Sequence, residues 1–317
     1  MFEITKWLLK KFIKNDKDIK KPEVRSSVGR FASLTGIFLN LSLVAAKVVV
    51  GLLSGSIAVV ADGLNNLMDA SGSIITLAGF KIAEKKADKE HPFGHGRYEY
   101  VAGFVVAILV LAVGIELGKN GIKRIFNPEP VNLGPVVFII LILSILLKFW
   151  MAGFYRSLGR RIGSTALKAV SADNRNDTLA TGAVLLSAII SRFAEINLDG
   201  WAGLGVAVFI IYNGISLIRE TLSPLLGEAP SNELVEYIAQ KILSYEYVMG
   251  IHDIIVHDYG PNRRYVSVHV EMPSNEDIMA IHAVIDEIEK SFLENDGIHL
   301  IIHHDPIHPD DSNHHVL

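Results

Sequence analysis

The sequence contains no cysteine, which excludes disulfides, zinc–thiolate sites and thiol nucleophiles. Net charge is also small, −4 over 317 residues, so bulk charge makes no case for a nucleic-acid partner. Histidine is missing from the middle of the chain, with none between His95 and His252. There is no HExxH motif and no Ser or Cys nucleophile constellation, which argues against an intramembrane metalloenzyme and for a protein that is not an enzyme. The N-terminus lacks a continuous apolar run followed by a small-residue cleavage site. Its stretch "MFEITKWLLKKFIKNDKDIKK" is basic and amphipathic and reads as a surface helix at the lipid headgroups.

Apolar residues, by contrast, make up 50% of the chain, too many for an ordinary soluble domain of this length. A bilayer core of about 30 Å is crossed by about 20 mainly apolar helical residues. Six windows meet that length: 31–53, 57–81, 98–120, 133–155, 164–191 and 199–221. The second and fifth are more polar than the rest, and each would score poorly if taken alone. Lys and Arg number seventeen in 1–30, 81–97 and 156–161, against four in the intervening connections. The bias places both termini of a multi-pass membrane protein in the cytoplasm.

After residue 228 the apolar runs shorten and acidic residues and histidines appear. "NELVEYIAQKILSY" and "EDIMAIHAVIDEIEKSFLEN" have helical periodicity, while "IHDIIVHDYG", "RRYVSVHVEM" and "HLIIHH" read as strands. The order αββαβ predicts a small ferredoxin-like α+β domain. The expected organisation is a basic segment 1–30, a six-helix membrane domain 31–222, a soluble domain 228–306 and a His-containing tail 307–317.

The informative anomaly is "VSADNRNDTLATGAVLLSAII", where Asp173 and Asp177 run into an apolar span. Ionisable residues in hydrocarbon are expensive and by default mark an ion or proton path. Asp173 and Asp177 are four apart and share a helix face; in "ADGLNNLMDA", Asn65 and Asp69 repeat the spacing, with Asp62 one turn earlier. Two helices with two oxygen donors each can converge on one cation, which would offset the burial of the carboxylates. Zinc favours nitrogen and sulfur, whereas an all-oxygen quartet suits harder ions: Mn²⁺, with Mg²⁺, Ca²⁺ and Fe²⁺ also open. The competing reading has these residues capping helices or pairing with Arg175 and Lys47, although Arg175 falls off the Asp173/Asp177 face.

"ADGLNNLMDA", "HPFGHGRYEY" and "ADNRNDTLATGAVL", in that order, resemble the cation diffusion facilitator family of divalent-metal/proton antiporters. The resemblance runs from about residue 30 to residue 306. It implies a transport site at Asn65, Asp69, Asp173 and Asp177, in an Asn-Asp-Asp-Asp set similar to the manganese branch. It also implies a homodimer that alternates between inward- and outward-facing states. A Zn²⁺, Fe²⁺ or Co²⁺ exporter and a metal-sensing membrane protein without flux are the alternatives.

In "ADKEHPFGHGRYEY", Asp88, His91 and His95 are closely spaced; the resemblance implies a second metal there, against a plain polar loop. Arg97 matches a basic position that in some members interlocks with an acid, but the corresponding residue here is Gly227, with Glu228 beside it. Ten of the twelve histidines follow residue 251. Imidazole with carboxylate is a good borderline-metal set, and the resemblance implies regulatory metal binding at His252, His269, His282, His303 and Asp305. The competing reading is surface histidines on a sheet; His308, His314 and His315 fall in a solvated tail.

Overall fold

The computed structural model describes residues 22–54, 57–127, 135–194, 199–261 and 263–308, with Lys11 and Ile13. Most of the basic segment expected at the headgroups, and the tail with His314 and His315, lie outside the described residues. The chain forms two compact units, Met1–Lys85 with Tyr98–Ser223, and Lys86–Arg97 with Pro224–Leu317.

The first unit is helical: α1 (Pro22–Ser54), α2 (Ile57–Ala83), α3 (Tyr98–Phe126), α4 (Pro135–Ile162), α5 (Thr165–Ala194) and α6 (Asp199–Leu226). Each of the six windows becomes one helix. The shortest has 27 residues, about 40 Å at ~1.5 Å per residue, enough to cross the hydrocarbon. Among the described residues, four segments combine that length with the apolarity of a span: Glu23–Val50, Tyr98–Phe126, Phe138–Ile162 and Gly200–Leu226. α2 and α5 are equally long but interrupted by the polar side chains that drew attention in the sequence. Large apolar side chains such as Phe38, Leu53, Leu146, Phe149 and Val208 stand exposed along the helices, as a lipid-facing surface requires.

The interior of this unit is close-packed around Phe80, Met151, Phe154, Tyr155, Leu158 and Leu167. A small residue admits the nearest approach: Gly36 lies against the Tyr155 hydroxyl, where any β-carbon would collide. That hydroxyl is 3.0 Å from Ser73 Oγ, so a buried polar contact joins α2 to α4 beside α1. Between α4 and α5, Gly163 takes φ 62° and Ser164 Oγ accepts the Leu167 N–H at 3.2 Å, so one helix ends and the next is capped within two residues.

One buried ion pair clamps three helix ends. Arg25, at the start of α1, donates Nη1 and Nη2 to Glu99 Oε2 and Oε1 at 2.6 and 2.9 Å. Its Nε donates to the carbonyl of Ile162, the last residue of α4, at 2.8 Å. The fork geometry satisfies both carboxylate oxygens, and both residues are buried. In the sequence Arg25 counted only as one cationic residue among those that set topology.

The second unit runs α7 (Asn232–Leu243), β1 (Gly250–Asp258), β2 (Arg264–Pro273), α8 (Ile278–Asp296), β3 (Ile298–Ile307), the expected αββαβ order. Sheet order is β1-β2-β3, antiparallel between β1 and β2 and parallel between β2 and β3, with α8 as the crossover. Strand alternation sends Val266, Val268, Val270 and Met272 into a core shared with Ile238, Ile242, Ile281, Ile288 and Phe292 of the helices. Ser231 caps α7 by accepting the Leu234 N–H, and Gly297 closes α8 in the left-handed conformation at φ 65°.

Residues 86–97 belong to this unit, although the sequence shows them only as a link between spans. Phe93 stacks on Tyr259 at 4.3 Å and meets Tyr265 edge-on at 5.1 Å. Gly96 packs against the backbone of Tyr259 and Gly260, an approach that leaves no room for a side chain.

Breaking one partner of a buried pair leaves an uncompensated charge, at a cost of roughly 3–5 kcal/mol. Glu99→Gln should therefore lower the unfolding midpoint of the detergent-solubilised protein strongly, while a change at the exposed Lys168–Glu220 pair should leave it almost unmoved. Equal midpoints for the two variants would refute the clamp.

Candidate metal centres

The membrane centre starts from two helix faces. On α5, Asp173 and Asp177 lie one turn apart, and on α2 Asp69 faces them. One oxygen from each of the three carboxylates lies within 4.8 Å of the others. Hard cations hold oxygen ligands at about 2.0–2.6 Å, so oxygens on one ion lie at most about 5.2 Å apart and the three carboxylates are within reach of a single ion. The side chains of Asn65 and Asp62 lie outside the described residues.

A third helix contributes a residue that the sequence reading passed over. Lys148 of α4 is 3% exposed and places Nζ 2.8 Å from Asp69 Oδ2 and 2.9 Å from Asp177 Oδ2. Asp69 Oδ2 also accepts from Asn66 Nδ2 at 3.0 Å, and Asn66 Oδ1 accepts from buried Lys47 Nζ at 2.6 Å. The expected competitor Lys47 thus meets Asn66. Arg175 points elsewhere, donating to Asn213 Oδ1 at 3.2 Å and lying over the Phe209 ring. Lys148 was legible as the lone charge in "ILILSILLKFWMAG", by the same cost argument that singled out the carboxylates.

In the loop, Asp88, His91 and His95 come together within 4.8 Å. Asp88 Oδ1 accepts the backbone N–H groups of His91 and Glu90 at 2.7 and 3.0 Å. The His91 N–H bond is the main cause that holds this carboxyl below its ordinary pKa. Buried His95 sets Nδ1 3.2 Å from the Lys86 carbonyl and Nε2 3.4 Å from Asp88 Oδ2. A carbonyl beside Nδ1 favours the tautomer protonated there, with Nε2 as the nitrogen that faces Asp88. Arg97 does not reach an acid at 227: Nε and Nη2 donate to the Asp258 carbonyl at 3.0 and 2.8 Å, and its guanidinium lies over Tyr259. Gly227 follows α6 at φ 96°, a conformation that disfavours the acidic residue the resemblance would place there.

On the sheet, register makes the third cluster. His252 pairs with His269, and His269 with His303, so the three form one row across β1, β2 and β3. Two residues further along, Asp305 Oδ2 lies 2.9 Å from His269 Nδ1 and 3.1 Å from His252 Nε2, while Oδ1 is 3.4 Å from His303 Nε2. Buried Glu271 is 3.9 Å from His252 Nε2, a carboxylate not anticipated from the sequence. A bulge between His252 and Ile255, with Asp253 at φ 50°, turns the strand at this row. His282 stands apart, exposed on α8 and 3.9 Å from Asp286.

Residues 33–226 match the transmembrane domain of cation efflux proteins, and residues 230–307 match the family's cytoplasmic domain. An uncharacterized transporter of Methanocaldococcus jannaschii is 29% identical over 88% of this chain and 99% of its own length. The cation-efflux pump FieF of Escherichia fergusonii is 27% identical over 89% of this chain and 95% of its own length, and that of Klebsiella pneumoniae is 25% identical over the same shares. Half-buried carboxylates facing one another from two polar helices of a lipid-exposed bundle are what a cation path demands, and with these matches the chain belongs to the cation efflux family of membrane transporters.

Proposed function

We propose that the protein exports Mn²⁺ in exchange for protons, as a homodimer with both termini in the cytoplasm. The observation that carries this reading is the donor chemistry of the membrane centre. Asp69, Asp173 and Asp177 bring oxygen ligands within 4.8 Å of one another, and no histidine stands in any span to favour zinc. Asn65, at the fourth position of the quartet, would add a neutral carbonyl donor.

In the cycle, the three carboxylates take the ion from the cytoplasmic side. The bundle rocks, closing one mouth and opening the other. Ligands bind metal only when deprotonated, so protons arriving from outside compete for the carboxylates and release the ion. The protonated site then returns down the proton gradient. Asn65 carries no proton, which leaves Asp69, Asp173 and Asp177 to do so, with Asp62 as an accessory. The soluble unit supplies regulation. Cytosolic metal held by the His252–His269–His303 row with Asp305, and by Asp88, His91 and His95, tightens the dimer and raises transport when the ion is plentiful. His282 belongs to the same regulatory set in this reading, although it lies outside the cluster that the strands bring together. The imidazole ligands of these sites make sensing less selective than transport.

A Zn²⁺, Fe²⁺ or Co²⁺ exporter is the nearest competitor, and the names of the related efflux pumps leave the metal open. Uptake into inverted vesicles across a panel of divalent ions tests the choice. Mn²⁺ should drive proton movement most strongly, and a silent Mn²⁺ response beside a strong Zn²⁺ response would reverse the assignment. Asp177→Ala should reduce Mn²⁺ flux by more than the roughly 10–100-fold that losing an outer-shell partner costs. It should do so with the protein still folded in detergent. In the same vesicles Asn65→His should gain Zn²⁺ transport, because it adds the nitrogen ligand that zinc prefers. Asp305→Ala should weaken metal binding at the sheet by about 10–100-fold, measured by calorimetry on the full chain. It should leave the apolar core on the other face intact.

A further inference from the structure

In the structure the membrane centre is closed over by a cation of the protein's own. Lys148 reaches Asp69 and Asp177 from a third helix at 2.8 and 2.9 Å, while Asp173 completes the group. Its side chain is 4% exposed, so the ammonium has exchanged water for those carboxylates. Asp69 Oδ2 accepts two donors at once, Lys148 Nζ and Asn66 Nδ2. A divalent ion ligated by Asp69 Oδ2 and Asp177 Oδ2 would take the oxygens that the ammonium holds, at a separation where like charges repel. Lysine, a compact charge on a flexible four-carbon stem, is the basic residue best able to leave and come back.

We infer that Lys148 is a tethered cation that alternates with the cargo. It occupies the carboxylates while no ion is bound, withdraws when a divalent ion enters, and returns as the ion departs. Its competition weakens ion binding and speeds release, so it sets affinity and turnover in opposite directions. This rests on the assignment of Asp69, Asp173 and Asp177 as the cargo site. A purely structural ion pair behaves differently: removing it would weaken both the fold and the binding, since damage to a packed site does not tighten it.

The test uses the full chain in detergent with Mn²⁺ as the probe, following the binding component that Asp177→Ala abolishes. Lys148→Met should bind Mn²⁺ tighter by about tenfold or more, since a like charge no longer competes. Its metal-free unfolding temperature should fall, and Mn²⁺ should raise that temperature by more than in the parent protein. Saturated flux in vesicles should drop because the ion leaves slowly. Unchanged or weaker Mn²⁺ binding overturns the inference. Lys148→Arg guards against a Met variant that does not fold: its planar fork holds both carboxylates and retracts poorly, so Mn²⁺ binding should weaken about tenfold. Unchanged or tighter binding by that variant also overturns the inference. If the parent protein binds no divalent ion at this centre, the cargo assignment fails and the inference with it. If the parent binds and transports Mn²⁺ while both variants match it, only the role of Lys148 fails.

Discussion

A carboxylate held in hydrocarbon persists only beside a compensating charge, and the membrane unit is organised around that constraint. Asp69, Asp173 and Asp177 come from two helices, and the cation that meets two of them comes from a third. The polar residues that make α2 and α5 poor spans by apolarity are therefore the same ones that join the helices. A bundle of apolar helices in lipid has little hydrophobic reason to choose one packing over another. A buried ionic contact has few arrangements that satisfy it, so it selects among them.

The same logic recurs at the end of the bundle. Arg25, Glu99 and the Ile162 carbonyl hold the start of α1, the start of α3 and the end of α4. Beside these two ionic knots, one among the spans and one at helix ends, the interface is filled by small and apolar residues such as Gly36 and Phe154 and by neutral contacts such as Ser73 to Tyr155. The carboxylate knot can be opened by a competing dication. The Arg25 knot has both oxygens of its acid and the arginine Nε–H satisfied internally, which suits it to a fixed point.

The soluble unit separates its chemistry from its stability by strand alternation. Valines at 266, 268 and 270 face the helices, and histidines and acids occupy the other side. Ligands can change on that face without emptying the core. The loop 86–97 is bound to the same unit by the Phe93–Tyr259 stack and by Arg97 on the Asp258 carbonyl, so two candidate metal clusters share one body.

Six helices, the αββαβ order and the paired carboxylates were legible in the chain because each depends on local period: apolar runs, alternation, and spacing of four on a helix face. The imidazoles of the sheet were legible as residue types, but their alignment into the row 252–269–303 was not. Strand register comes from pairing partners far apart in sequence. His282 shows the limit, since its periodic position on a helix says nothing of the distance to the strands. Arg97 shows another, because its partner is a backbone carbonyl, a group every residue carries and no pattern marks. The sequence by itself determined which groups are too costly to bury alone. Only the tertiary structure decided which groups answer them, as Lys148 does for Asp69 and Asp177, because charge compensation acts through space and residues 69, 148 and 177 become neighbours only when three helices pack.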